Sequence, residues 1–188
     1  MKKLILVIFY VFVFNSSAIA LVEVDITRGN LEPLPIAVSP LYIEPGSKDI
    51  KTEDKVIKNV GEKISEVIEV NFRRSGLFNP LKKDSFVQKP DIAHVKPRFE
   101  DWRLIKAQAL VTGKVIVSEK KLRAEFRLWD VIAGKEMIAL AFSTAPENWR
   151  RVAHIISDKI YKRLTGEEGY FDTRIIYVSE TGLKTQRY

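Results

Sequence analysis

The sequence predicts an α/β (α+β) protein in which a mixed, largely antiparallel sheet has two helices packed against it. Two long stretches carry apolar residues at spacings of three and four, as one buried face of a helix requires. Between them lie three strand-like stretches separated by short turns, which is typical of an antiparallel meander. The apolar face of such a sheet is buried most economically against the apolar faces of the two helices.

The first twenty residues predict a secretory signal peptide. Lys2 and Lys3 precede an unbroken apolar run over residues 4–14, and the run is followed by the small-residue cleavage pattern Ala18-Ile19-Ala20. An eleven-residue run spans roughly 16 Å as a helix, about half of the hydrocarbon thickness of a membrane. We expect cleavage between Ala20 and Leu21 and no membrane span in the mature chain. An uncleaved membrane anchor is the alternative.

Composition favours an exported, soluble domain. Removal of the signal peptide takes away two lysines, so the formal charge falls from +7 to +5, and the remaining basic residues are interspersed with acids. This mixed surface in an exported protein disfavours nucleic acid as a partner. The chain has no cysteine, which excludes disulfides and the lipid-modified cysteine of a lipoprotein. The expected compartment is the periplasm of a Gram-negative bacterium.

A strand-like segment follows the expected cleavage site. Apolar and polar residues alternate strictly along it, with Val22, Val24 and Ile26 on one side and Glu23, Asp25 and Thr27 on the other. Arg28 and Gly29 end the alternation, and the prolines at 33 and 35 exclude a short hairpin to a following strand. The segment can therefore pair within its own domain, as an ordinary edge strand, or with another chain.

The first predicted helix covers residues 52–75 and follows a short predicted strand at residues 36–41. Thr52 is its expected N-cap, and acidic residues follow in the first turn, where they complement the helix dipole. Gly76 is the expected left-handed residue after its last turn. The second predicted helix covers residues 146–164 and ends before Gly166.

The remaining elements are predicted from shorter patterns. We expect a brief strand at 85–87, a loop over 89–97, a short helix at 99–107 and a final strand at 172–179. The meander has strands at 110–117, 122–130 and 137–142. Trp129 lies on the outward face of the middle strand and is expected to meet a helix or a partner.

No pattern indicates catalysis or a metal site. The only histidines are His94, in a loop, and His154, on the second helix. Asp158 shares the helix face of His154, but a histidine–aspartate pair is a weak metal signal, and a hydrogen bond on the helix surface is favoured. Glu167 and Glu168 lie in a turn, where we expect solvated carboxylates. We therefore predict a binding protein with no catalytic residues, no metal and no cofactor.

Five motifs in a fixed order resemble the N-terminal domain of the TolB family, periplasmic proteins of the Tol-Pal system. They cover essentially the whole mature chain: Pro35-Ile36-Ala37-Val38, Arg74-Ser75-Gly76-Leu77-Phe78-Asn79-Pro80-Leu81, Trp149-Arg150-Arg151-Val152-Ala153-His154, Lys162-Arg163-Leu164-Thr165-Gly166 and Gly169-Tyr170-Phe171-Asp172-Thr173-Arg174-Ile175-Ile176-Tyr177-Val178.

The resemblance implies a division of the chain into four parts. These are a signal peptide (1–20), a flexible strand-like segment (21–34), a TolB-like α/β domain (35–170), and a strand with a tail (171–188) that would enter a β-propeller missing from this chain. Family members link the inner-membrane protein TolA to the outer-membrane lipoprotein Pal and support envelope integrity and cell division. Because their Pal-binding surface lies on the propeller, Pal is expected as a partner only where a propeller is supplied.

The resemblance also implies a binding site. In the family the N-terminal strand-like segment binds TolA, and the matching positions here are Val22, Glu23, Val24, Asp25, Ile26, Thr27, Arg28 and Gly29. A strand without a fixed partner suits this role, because β-augmentation joins such a strand to the sheet of another protein. The alternative function is a periplasmic domain that binds a small ligand or a peptidoglycan fragment, which predicts a pocket near the meander.

Overall fold

A six-stranded mixed sheet with two long helices on one face organises the protein. The structure is a computed structural model that describes residues 32–51 and 56–174. The strands of the sheet are β1 (Leu34–Val38), β2 (Tyr42–Ile43), β5 (Phe78–Pro80), β6 (Ala109–Val117), β7 (Leu122–Asp130) and β8 (Lys135–Thr144). A separate two-stranded ribbon pairs β3 (Ile50–Lys51) with β4 (Val56–Ile57).

The sheet combines parallel and antiparallel pairing. Its order is β5-β1-β6-β7-β8, with β2 also pairing with β6. Strand β1 is parallel to both of its neighbours, whereas β6, β7 and β8 form the predicted antiparallel meander. The predicted mixed, largely antiparallel sheet is therefore confirmed.

The helices are α1 (Val60–Ser75), α2 (Pro90–Ala93), α3 (Phe99–Leu104) and α4 (Trp149–Thr165), with single 3₁₀ turns at Lys83–Ser85 and Pro146–Asn148. The two long helices, α1 and α4, pack against each other and against the sheet, as predicted. Gly76 and Gly166 both follow their last turns in the left-handed conformation, at φ 73° and 79°. These are the residues expected there, because glycine adopts positive φ without steric penalty.

Two cores lie on opposite faces of the sheet. The larger one joins α1 and α4 to the sheet, and its fully buried members include Ile64, Ile68, Phe72, Ile156 and Ile160. The smaller one lies under the short helices on the other face and centres on Trp102, Leu110 and Trp129. Trp129 meets the ring of Phe99 at 5.7 Å between centroids, so the prediction that it meets a helix is correct.

The first helix begins later than predicted. Val56 and Ile57, expected in the helix, form β4, and Val56 is 52% exposed. Asn59 then adopts a left-handed φ of 53°, which a continuous helix does not allow, and its carbonyl accepts the first helical hydrogen bonds from Glu62 and Lys63. The predicted N-cap, Thr52, lies outside the described residues.

Several short elements also differ from prediction. The strand predicted at 85–87 is wrong. Lys83–Ser85 forms a 3₁₀ turn instead, and the Phe86 amide donates a hydrogen bond to the Lys83 carbonyl. The loop predicted at 89–97 contains α2, which begins at Pro90. Of the strand predicted at 172–179, the three described residues, 172–174, are not in a strand.

Candidate functional site

The residues predicted to bind a partner, Val22–Gly29, and the predicted cleavage site, Ala20 and Leu21, lie outside the described residues. The structure describes the point at which this segment joins the domain. Glu32 and Pro33 are exposed, and the Leu34 amide donates a hydrogen bond of 2.9 Å to the Leu77 carbonyl at the start of β1. The segment is thus tethered to a strand that pairs on both sides within the sheet.

The other end of the described chain is fastened to α4 through Asp158 and Arg151. Asp158 accepts hydrogen bonds from the backbone amides of Phe171 at 2.7 Å and Asp172 at 3.1 Å. Arg151 donates to both oxygens of the Asp172 carboxylate at 3.2 Å. A Cβ atom at Gly169 would lie 2.4 Å from the Asp158 Cα, so the segment approaches the helix more closely than any other residue type allows.

Aromatic rings connect the two ends of the described chain. Phe78 pairs with Leu34 across the sheet, and its ring meets that of Tyr161 edge-on at 6.1 Å. The Tyr161 ring also contacts those of Tyr170 and Phe171, at 5.5 and 5.7 Å. Burial raises the pKa of Tyr161, with a smaller contribution from Tyr170. The start of β1 and the segment after α4 therefore share one end of the domain.

His154 belongs to a polar cluster between the two long helices. Asn71 on α1 lies 2.9 Å from the Ser157 hydroxyl, to which its amide donates, and 3.0 Å from His154 Nδ1. Burial, followed by the neighbouring charge of Arg150, lowers the pKa of His154. The hydrogen bond expected at the helix surface is thus made across to α1, while Asp158 bonds the segment after α4.

No described group of three or more histidine, cysteine, aspartate or glutamate side chains has the geometry of a metal site. His94 stacks on Tyr42, with ring centroids 4.5 Å apart, and its Nδ1 lies 3.1 Å from the Pro90 carbonyl. Within the described ranges, no helix has the length and apolar character needed to cross a bilayer.

Surface cavities are shallow and charged at their rims. One cavity on the open face of the meander, of about 210 Å³, is lined by His94, Val95, Gly113, Lys114, Glu125 and Arg127. Its volume is below the roughly 300–1,000 Å³ of typical ligand pockets. Larger cavities fall within that range. One of about 680 Å³ lies between β4, the start of α1 and Trp149 at the start of α4, and another of about 620 Å³ lies beside the β6–β7 turn of the meander, where Ser118 and Glu119 line it.

The architecture defines a class of protein, the α/β domains in which a β–α–β unit is extended by an antiparallel meander and a second long helix. The sequence assigns the family. Residues 22–137, which are more than half of the chain, match the TolB amino-terminal domain. The chain belongs to this family, and the resemblance identified from its motifs is confirmed.

Two relatives show how far the similarity extends. The Tol-Pal system protein TolB of Pelagibacter ubique (strain HTCC1062) is 68% identical over 172 residues, which are 90% of this chain and 38% of that protein. The crystal structure of TolB from Acinetobacter baumannii superposes with a TM-score of 0.59 at 19% identity, covering 81% of this chain and 33% of that one. This chain thus spans less than half of the length of these two relatives.

Proposed function

We propose that this chain acts in the bacterial periplasm as a non-enzymatic interaction domain of the Tol-Pal system. It binds TolA through Val22–Gly29 and so supports outer-membrane integrity and cell division. The proposal is supported by the position of this segment in the sequence, where it begins the TolB family match at residue 22 and precedes β1, which starts at Leu34. Pal is a partner only where a propeller accompanies the domain.

The mechanism is addition of a strand to the sheet of the partner. Backbone hydrogen bonds supply affinity, and the alternating side chains of Val22, Val24 and Ile26 select the register. Ordering the segment opposes binding, which limits the affinity to roughly the micromolar range. Because Leu34 is fixed within the sheet, the bound segment remains tied to the domain.

A matched pair of valine substitutions tests the proposal. Val24→Lys places a charge on the apolar side of the segment, whereas Val87→Lys places the same charge at a valine that is 64% exposed on the domain surface. Calorimetric titration with the C-terminal domain of TolA should show at least about a tenfold loss of affinity for Val24→Lys, equivalent to about 1.4 kcal/mol. Val87→Lys should bind as the wild type does. Equal affinity of Val24→Lys and wild type would refute the proposal.

Deletion of residues 21–29 distinguishes a binding segment from an ordinary edge strand of the domain. If these residues are a binding segment, their removal should abolish TolA binding and change the thermal midpoint by no more than a few degrees. A large fall in the midpoint would instead assign the segment to the sheet of its own domain.

A further inference from the structure

Strand β8 forms a long, open edge of the sheet. Among the described residues its only sheet partner is β7, and it runs for ten residues, from Lys135 to Thr144. The opposite edge strand, β5, has only three residues. A long edge presents a row of backbone N–H and C=O groups that can pair with another strand.

The protective features of β8 are confined to its first residues. Its charged side chains, Lys135 and Glu136, lie at one end, next to a bulge at Met137 that shifts the register with β7. From Ile138 to Thr144 the pairing with β7 is regular, and this stretch contains no charged residue, proline or glycine. Natural edge strands use such features to prevent unwanted pairing, so this stretch is open to it.

We propose that β8 pairs antiparallel with β8 of a second copy of this chain, about a two-fold axis at Ala141, so that one sheet runs through a dimer. The uncharged stretch offers no ion pair to a charged partner strand, but it is complementary to itself. The proposal is independent of TolA binding, because it uses a different surface of the domain.

The register follows from the chemistry of the two faces. Leu140 and Ile138 lie on the face of the buried Phe126 and Leu128, with which they pair in β7. A two-fold axis at Ala141 places Leu140 opposite Phe142 of the second copy, which covers an apolar side chain that is 38% exposed in the single chain. Cross-strand aromatic–aliphatic pairs of this kind stabilise sheets.

The other face and the ends of the strand agree with this register. On the open face, Ala139 meets Ser143 of the second copy, so only small side chains oppose each other. At the ends, Ile138 meets Thr144 of the second copy. The seven regular residues are then all paired, and the bulge and the charges at 135–137 lie beyond the interface. A register shifted toward the start of β8 would bring the bulge into the ladder and lose pairs.

Single cysteines test the register, because the chain has none of its own. Ala141→Cys should form a disulfide-linked dimer on air oxidation, since directly opposed residues place their Cβ atoms about 4.5–5.5 Å apart, close to disulfide geometry. Ala139→Cys, at another exposed alanine on the same strand and face, is the matched control and should remain uncrosslinked. A mixture of Ala139→Cys and Ser143→Cys should crosslink. Absence of the Ala141→Cys dimer, or equal crosslinking of Ala139→Cys, overturns the proposal.

Mass measurement tests the dimer itself. Light scattering of the purified chain, exported and processed by an expression host, should show a concentration-dependent shift from monomer to dimer. Leu140→Lys should abolish it by placing charge at the apolar face of the edge, whereas Leu104→Lys, at a leucine that is 79% exposed on α3, should not. Circular dichroism confirms that both variants fold. A wild-type mass that stays monomeric at all concentrations, or a folded Leu140→Lys variant that still dimerises, contradicts the proposal.

Discussion

Single polar side chains hold the segment after α4 and the contact between the two long helices. Asp158 satisfies two backbone amides of the segment after α4, and Asn71 joins α1 to α4 through Ser157 and His154. Hydrogen bonds to a charged acceptor are stronger than those between neutral groups. The two bonds to the Asp158 carboxylate are therefore the stronger ones, and they order the segment after α4.

Removing the Asp158 carboxylate should release the segment after α4. Asp158→Ala leaves the amides of Phe171 and Asp172 without their acceptor, and we expect a loss of about 2 kcal/mol in the free energy of unfolding. Urea denaturation measures this loss. Asp84→Ala, at an exposed aspartate, is the control and should change stability by less than about 0.5 kcal/mol. An equal effect of the two substitutions would show that Asp158 does not hold the segment.

His154 should make the domain less stable as the pH falls. Because burial lowers its pKa in the folded state, the unfolded chain binds a proton more readily, and stability decreases as the pH drops below the ordinary histidine value of 6.5. His154→Gln should reduce this loss, measured as the denaturation midpoint between pH 7.5 and about pH 5. His94→Gln, which retains His154, is the matched control for the substitution. An unchanged slope in His154→Gln would contradict the assignment.

At the scale of elements, the start of α1 is packed directly on the backbone that follows β1. The Leu41 amide donates to two acceptors on α1, the Gly61 carbonyl and, at 3.1 Å, the Ser65 hydroxyl oxygen. The Ser65 hydroxyl lies 3.0 Å from the Ser39 carbonyl. Because a Cβ atom at Gly61 would lie 2.1 Å from the Leu41 carbonyl oxygen, only glycine permits this approach.

Gly61→Ala should therefore destabilise the protein, although alanine is the better helix former by about 1 kcal/mol. We expect a net loss of about 1 to 3 kcal/mol, because the backbone at Leu41 must move. Lys63→Ala, at an exposed position in the same turn, is the matched control. Thermal or urea unfolding of both variants measures the difference in stability, and a stabilised Gly61→Ala variant would mean that α1 does not pack closely on the backbone at Leu41.

The same elements show what periodicity can and cannot predict. The stripes of α1 and α4, their glycine C-caps and the meander follow from local sequence, because each is specified by residues within one or two turns or strands. The start of α1 does not follow from local sequence, because Val56 and Ile57 also fit the apolar stripe of the helix. Only their pairing with Ile50 and Lys51 places them in a strand. The three-residue β5 exists through its long-range pairing with β1, which no local pattern records.

In the molecule as a whole, the described domain has one long open sheet edge, β8. The sequence before β1, Val22–Gly29, lies outside the described residues and is proposed to pair with the sheet of another protein. The α/β fold and the TolB family could be predicted from ordered motifs. The contacts of His154 and Asp158 could not, because their partners, Asn71 and the amides at 171 and 172, are brought close only by the packing of α4.

Amide NMR of the labelled chain shows whether Val22–Gly29 binds TolA. During titration with the C-terminal domain of TolA from the same organism, we expect shifts concentrated in residues 22–29, with α1, α4 and β8 unchanged. Shifts confined to the folded domain, or none at all from a chain shown to be folded, would exclude the segment as the binding site.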